Sequence, residues 1–530
     1  MHPLAQLDHR YLWHPFTQMR DWLKHEPVVI MEGEGAVLRD SRGREYLDAN
    51  SSIWTNLHGH NHPRMNAAIQ RQLGKIAHSS ALGLANEPAS LLAGKLIELT
   101  NPRSVARANR ITHWPRRNQT KADHVSPSLA KTFFSDDGST AMEVALKLAY
   151  EFARRTGRSR KPKFLSLAGA YHGDTIGAVA LGHIDLFHRS WSRLLFKTDT
   201  VMAPYCYRCR FNRAKPERAD ARDYRKCNWE CLDVLEKKFA TQKKTGNPYA
   251  AFVFEPLIQG AAGMIPQPPG WLHRAAEISR AHGAQLIADE VMTGFGRTGS
   301  AQISEKAGAR VCQKAPGSQP SAAQAKVQRS QSDPSLPACM RSPPLFACQH
   351  EEVQPDFLAL AKGLTGGYLP MAATLTTQAV FDAFLGEYEE FKTFFHGHSY
   401  TGNQLGAAAA LASLEILESS VSLRARQKLE YNLRQELQTL WELPNIGDIR
   451  QVGLIVGIEL VKDWTTREPF ELRKQAGLRV CQSMARQGVL TRPIGNVVVL
   501  MPPYCATSGQ VRQMVRSLHQ AVSELGAISG

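Results

Sequence analysis

Short, evenly apolar runs alternate with stretches of helical spacing along much of this 530-residue chain. Thr132-Phe-Phe-Ser135, Phe164-Leu-Ser-Leu167, Ala251-Phe-Val-Phe-Glu255, Gln285-Leu-Ile-Ala-Asp289 and Phe357-Leu-Ala-Leu-Ala361 have strand length and read as buried strands. Between them lie helical patterns: Met65, Ile69, Leu73 and Ile76, then Leu91, Leu92, Leu96 and Leu99, then Ala141, Val144, Ala145 and Leu148, then Trp271 to His282. Strands that alternate with helices predict an α/β protein with a parallel sheet covered on both faces. Such sheets bind ligands at the carboxyl ends of their strands. Ser135, Tyr171, Glu255, Asp289 and Lys362 all stand at or just beyond such ends.

The two ends of the chain read differently. Gly35 to Asp48 alternates about a Ser-Arg-Gly turn and predicts a hairpin. A long helix is expected from Ala407 to Leu417. It is followed by a strand (Val452 to Leu460), an amphipathic helix (Leu478 to Ala485), a short strand (Val497 to Leu500) and a last helix (Val511 to Leu525). Residues 1–63 and 420–530 are therefore expected to build a small α+β domain around a large domain of residues 64–419. The aromatic segment Tyr11 to Met19 is expected to lie packed rather than loose. Periodicity fails at 101–130 and at 301–345, which read as insertions. The second is rich in Ser, Ala, Gln and Pro and is expected to be disordered.

Composition changes this picture little. Hydrophobic content of 43% is that of an ordinary globular protein. The formal charge of +16 points at first toward nucleic acid, but its distribution argues otherwise. Residues 101–130 hold six Lys/Arg against one Asp, and 301–345 hold six against two acids. Nine of the sixteen charges thus sit in the two insertions, and no nucleic-acid partner is expected. No run approaches the roughly 18 apolar residues of a membrane span, and Met1 to Arg10 lacks a basic-then-apolar signal pattern. A soluble cytoplasmic protein with no membrane partner is the expectation. Four cysteines cluster in an excursion at 203–235, as Cys206-x2-Cys209 and Cys227-x3-Cys231. They read either as a four-thiolate metal site or as free thiols of a surface loop.

Candidate chemistry centres on Lys362. An apolar strand that ends on one lysine, with Gly363 and Gly366-Gly367 after it, strips water from the amine and lowers its pKa, as a Schiff-base nucleophile requires. Asp289 ends another apolar strand. Gly138-Ser139-Thr140 follows a strand and opens a helix, where free N–H groups bind phosphate. A Schiff-base lysine, an anion for a pyridinium nitrogen and a phosphate anchor are what pyridoxal 5'-phosphate needs. Tyr171, in Gly169-Ala-Tyr-His-Gly173, reads as a ring over a flat cofactor or as a core aromatic at a turn. His58, His60 and His62 read as a polar loop near a substrate more readily than as a metal site. Arg492, beside Pro493, could hold a carboxylate bidentately or stay solvated.

Taken together, Trp13-His-Pro-Phe-Thr-Gln-Met19, Tyr171-His-Gly-Asp-Thr175, Asp289-Glu-Val-Met-Thr-Gly-Phe-Gly-Arg-Thr-Gly299, Phe395-His-Gly-His-Ser-Tyr-Thr-Gly-Asn403 and Leu490-Thr-Arg-Pro493 resemble the class III (omega) aminotransferases of fold type I. The resemblance runs from about Tyr11 to Leu525. It implies a mainly parallel seven-stranded sheet, pyridoxal phosphate as cofactor, and a homodimer with active sites at the subunit interface. Lys362 would be the Schiff-base lysine and proton carrier, Asp289 the partner of the pyridinium nitrogen, and Tyr171 the stacking ring. Gly138 and Ser139 would hold the phosphate, joined by His398 and Ser399 from the second subunit. Trp54, Tyr171, Lys362, Gly397 and Arg492 would contact substrate, with Arg492 on its carboxylate. Within the family the motifs are most similar to members of biotin biosynthesis that aminate 8-amino-7-oxononanoate. Other members act on ornithine, 4-aminobutyrate or polyamines. Phe16 stands where a Tyr is usual and Ile53 where a second Trp is usual, which leaves the amino donor open between S-adenosylmethionine and lysine.

Overall fold

The computed structural model describes residues 1–101, 128–299 and 344–527. Seven strands form the central sheet: β1 (Leu129–Ser135), β2 (Lys163–Leu167), β3 (Asp199–Val201), β4 (Tyr249–Phe254), β5 (Gln285–Asp289), β6 (Phe357–Leu360) and β7 (Ala372–Thr377). Their order across the sheet is β1-β7-β6-β5-β4-β2-β3. Every neighbouring pair is parallel except the two that involve β7, which runs against both β6 and β1.

Every residue of β4, β5, β6 and β7 is buried, so these strands read as unbroken apolar runs instead of alternating ones. Their residues still alternate, but between two cores. Phe252, Phe254, Leu286, Ala288, Leu358 and Leu360 face one core, while Ala251, Val253, Ile287, Phe357 and Ala359 face the other. The helix Gly138–Arg155 covers the second core with Ala141, Val144, Ala145 and Leu148. The helix Trp271–Ala281 covers the first with Trp271, Leu272, Ala275 and Ala276.

The chain's two ends meet in a second sheet. Ile30–Glu34, Val37–Asp40 and Glu45–Asp48 pair antiparallel, and Val489–Leu490 adds on in parallel, with Val489 opposite Leu47. The expected strand from Val452 to Leu460 is instead the turn and second arm of a hairpin, Ile446–Val452 with Ile455–Asp463. Gly453, at φ +60°, makes that turn. The apolar run continues through the turn because both arms are buried. Helix Ser420–Leu437 was not anticipated. Its buried apolar seam is only Leu429, Leu433 and Leu437, set among charged residues.

Most of both expected insertions, 102–127 and 300–343, lies outside the described residues. Leu129 and Ala130, assigned above to the first insertion, belong to β1. Asn101 ties the two edges of that segment together: its amide donates to Leu129 O at 2.7 Å and its Oδ1 accepts Leu129 N–H at 2.9 Å. Among the described residues no single helix is long and apolar enough to cross a membrane.

Candidate active site

Lys362 leaves β6 through a strained backbone. Ala361 stands at φ −158°, ψ −136°, and Lys362 itself sits at φ 31°, in the left-handed region that side chains avoid. The twist turns the amine into a cavity of about 390 Å³ at the carboxyl ends of β4, β5 and β6. Burial lowers the Lys362 pKa, and the nearby carboxylates of Asp289 and Glu255 oppose that shift without cancelling it.

Asp289 closes β5 and is 6% exposed. Its Oδ2 lies 2.8 Å from His172 Nδ1, and its Oδ1 accepts the Val291 N–H at 3.0 Å. Glu255 closes β4. It accepts the N–H of Gly260 at 2.8 Å and of Tyr171 at 3.3 Å. Burial nevertheless raises its pKa to about 7. The Tyr171 hydroxyl donates to Asp174 Oδ2 at 2.6 Å, and its ring lies parallel to His188 at 6.2 Å. Phe187 meets Tyr171 edge-on, and Phe16 in turn meets Phe187 at 5.4 Å.

The helix Gly138–Arg155 points its N-terminus at this cavity. Asp137 caps it by accepting the Thr140 N–H at 2.8 Å, which leaves the N–H groups of Gly138 and Ser139 for an anion. A Cβ at Gly138 would come within 2.7 Å of Val291 Cγ1, and one at Gly173, where φ is +119°, would collide with the Ser139 hydroxyl. That hydroxyl accepts the Asp174 N–H at 2.7 Å, which locks the helix start to the Tyr171 turn.

Trp54 reaches the cavity from the chain's N-terminal part on an unusual turn. Ser51, Ser52, Ile53 and Trp54 all have φ between 46° and 67°. Four L-residues hold this left-handed turn only because side chains pin it. Asp48 accepts both the N–H and the hydroxyl of Ser52, Ser51 donates to Met501 O, and the Trp54 indole donates to Asn50 Oδ1. The Lys362 amine lies 5.2 Å from the Trp54 ring centre.

Seven of the residues named from sequence therefore line one cavity: Trp54, Gly138, Ser139, Tyr171, Glu255, Asp289 and Lys362. Gly397 and Ser399 are exposed and do not line it, so the expected place of Gly397 in the pocket is not found within one chain. His398 Nδ1 lies 3.0 Å from Asp136, a residue of the cavity wall. Arg492 is exposed outside the wall, two residues before Ile494, which packs against the same apolar cluster as Trp54. His58 and His60 are structural: one bonds Ser413, the other the Asp48 that pins the left-handed turn.

The metal reading of the cysteines is corrected. Among the described residues no group of three or more His, Cys, Asp or Glu side chains could hold a metal ion. Cys206, Cys209, Cys227 and Cys231 are free thiols that lie near one another, and burial is the main cause that raises the pKa of Cys206 and Cys231. Cys206 donates to Pro204 O at 3.7 Å, and Cys227 accepts from Arg225 at 3.1 Å. His172 was the residue missed, and its signal was its place beside Tyr171 between the same two glycines.

This cavity fits pyridoxal phosphate. A desolvated amine, a carboxylate held by two donors and a helix N-terminus that tolerates no Cβ at Gly138 converge on it. Fold and site together define a pyridoxal-phosphate-dependent transferase. The pattern of the family described as Aminotransferase class-III matches residues 19–310 and 339–522. The chain belongs to that family and is an aminotransferase with pyridoxal 5'-phosphate as cofactor. An adenosylmethionine-8-amino-7-oxononanoate aminotransferase of Geobacter sulfurreducens is 41% identical over 519 residues, 98% of this chain and 97% of its own. The crystal structure of the enzyme of that name from Methanocaldococcus jannaschii superposes with a TM-score of 0.79 at 36% identity, over 98% of both chains. An amine transaminase from an uncultivated Pseudomonas species, solved with pyridoxal phosphate bound, gives 0.77 at 29% identity over 97% of this chain and 98% of its own.

Proposed function

We propose that this aminotransferase aminates the ketone of 8-amino-7-oxononanoate to 7,8-diaminononanoate in biotin biosynthesis, with S-adenosylmethionine as amino donor. The near full-length 41% identity to a relative of that name carries the reading. A second donor, lysine, is kept as a rival because Phe16 and Ile53 alter the donor side. Phe16 packs through Phe187 toward Tyr171, and Ile53 stands in the left-handed turn beside Trp54.

When bound, pyridoxal phosphate accepts the amino group of one substrate and passes it to the next. The chain's own groups make that exchange possible. The Lys362 amine, with its pKa lowered, can bind the cofactor and carry the substrate's Cα proton. Asp289 would face the ring nitrogen, and Gly138 and Ser139 would take the phosphate. Tyr171 would lie against the ring, and Trp54 would close the pocket over Lys362. Arg492 would take the carboxylate of the oxononanoate from outside the cavity wall. We place the protein in the cytoplasm, where free thiols such as those of its described cysteines stay reduced. We also propose a homodimer in which Gly397, His398 and Ser399 complete the partner's site.

The test incubates purified holoenzyme with the oxononanoate and either S-adenosylmethionine or lysine, and weighs the product by mass spectrometry. Diaminononanoate formed with S-adenosylmethionine, and lost in Lys362→Ala, is expected. Product with lysine alone would move the donor, and no product with either would overturn the substrate.

A further inference from the structure

Trp54 reaches the cavity at the end of four successive residues with positive φ, and the Asp48 carboxylate holds that turn. Asp48 Oδ1 accepts the N–H groups of Ser52 at 3.0 Å and Asn50 at 3.4 Å, and its Oδ2 accepts the Ser52 hydroxyl at 2.8 Å. These donors belong to the turn itself, so they set the carboxylate no more firmly than the turn is set. Among the described residues one donor to Asp48 comes from beyond the turn: His60 Nε2, 2.9 Å from Oδ2.

His60 is fixed independently of that turn. Its backbone exchanges hydrogen bonds with Gly35 at 2.7 and 3.0 Å. Gly33 leaves room for its side chain, since a Cβ there would come within 2.9 Å of it. The tautomer of the ring is fixed as well. The Asn56 amide oxygen accepts the Gly59 N–H at 2.8 Å, which turns the amide nitrogen toward His60 Nδ1 at 3.0 Å. Nδ1 therefore accepts, and the ring proton sits on Nε2, from which it is donated to Asp48. Burial pushes the Asp48 pKa up, and the bonds from His60 and Ser52 outweigh it and hold the carboxyl below its ordinary range. We propose that His60 is a positioning residue of the substrate pocket: its Nε2–H orients Asp48, and through Asp48 the turn that holds the Trp54 ring centre 5.2 Å from the Lys362 amine. His60 does not line the cavity and acts only through Asp48. The inference rests on the aminotransferase reading of the cavity and not on which amine or ketone the cavity takes.

Two variants separate the donated proton from the bulk of the ring. His60→Gln keeps an amide nitrogen near Nε2, and the shorter His60→Asn leaves Asp48 without that donor. Both are made in holoenzyme labelled with 5-fluorotryptophan, where the Trp54 fluorine line is the one lost in Trp54→Phe. Of the nine tryptophan lines, only that of Trp54 should move in His60→Asn, and none in His60→Gln. In turnover of the oxononanoate, His60→Asn should lose roughly ten- to hundredfold in kcat/KM, the scale of a misplacement by about an ångström. His60→Gln should restore most of that loss. In a Trp54→Ala background His60→Asn should cost nothing further, because its route is already cut. A Trp54 line that stays in place in His60→Asn, equal losses in Asn and Gln, or a loss that persists beside Trp54→Ala would overturn the role. Should His60→Asn not fold, nitrogen-15 spectra of the wild-type histidines decide. A His60 ring, assigned by its loss in His60→Gln, that carries its proton on Nε2 alone supports the role, and a proton on Nδ1 overturns it. Wild-type holoenzyme that turns over no oxononanoate would overturn the proposed substrate, and the fluorine lines would still decide the role of His60.

Discussion

Lys362 and Glu255 line the same cavity, and its dryness shifts the pKa of both. Burial is the largest influence on both, and it acts in opposite directions: down for the amine, and up to about 7 for the acid, from an ordinary 4.5. For Glu255 the consequence for stability has a definite sign. Between pH 4.5 and 7 the folded protein keeps a proton that the unfolded chain has released. Stability from this group is therefore greatest below pH 4.5, falls as pH rises through the window, and stays low above it. Glu255→Gln removes the titration. The stability of that variant relative to wild type should rise by roughly 3 kcal/mol between pH 4.5 and 8. Urea unfolding at a series of pH values reads it, and a difference that does not change with pH would show that Glu255 ionises freely.

Behind Glu255 stands a small hairpin, Ile258–Gln259 with Ile265–Pro266, whose Gly260 N–H holds the carboxylate. The hairpin packs on the C-terminal sheet through Ile258 and Met264 and is hydrogen-bonded to it through Arg450. Arg450, fully buried on strand Ile446–Val452, donates to Gly263 O at 2.5 Å and pairs with Asp448 at 3.0 Å and with Glu459. Glu459 keeps Arg208 if Arg450 is lost, but Asp448 loses its side-chain partner and keeps only the Ala221 backbone N–H. Arg450→Met should therefore cost about 3 kcal/mol, the low end for a broken buried pair, in denaturant unfolding. A loss below about 1 kcal/mol would mean that the pair roughly breaks even. Neither this tie nor the left-handed turn at Trp54 was legible in the sequence. Nothing in Ser51-Ser-Ile-Trp54 asks for positive φ; distant Met501 and nearby Asp48 impose it. The strands carrying Asp289 and Lys362 were legible because burial on both faces leaves only apolar residues. The helix start at Gly138 was legible because phosphate cups use few residue types. The hairpin at Gly453 was not, since two buried arms separated only by Gly453 and Leu454 look like a single strand.

At the scale of the whole molecule, the chain closes on itself yet leaves part of its own site motif outside. Val489–Leu490 pairs with Glu45–Asp48, so residues more than four hundred apart in sequence share the sheet that carries Trp54 toward Lys362. Gly397 and Ser399, by contrast, stay exposed. Around them and on other segments large apolar side chains face outward: Phe395 at 76%, Tyr400 at 61%, Trp13 at 85% and Leu82 at 92%. Patches of this kind mark surfaces that another chain covers. A two-fold dimer would cover them on both copies at once and bring each segment 395–400 to the other's cavity. The mass in solution should then be about 118 kDa, twice the 58.8 kDa chain. A complementation experiment tests the sharing itself. Lys362→Ala removes the amine from a chain's own cavity, and Ser399→Arg obstructs only the partner's, so each variant alone should be inactive. In a mixed dimer one cavity has an intact Lys362 from the Ser399→Arg chain and an intact Ser399 from the Lys362→Ala chain. Random pairing of equal amounts makes half the dimers mixed, each with one sound cavity, so about one quarter of wild-type turnover should return. Activity of Ser399→Arg alone, or no recovery on mixing dimers of proven exchange, would show that each cavity is complete within its own chain.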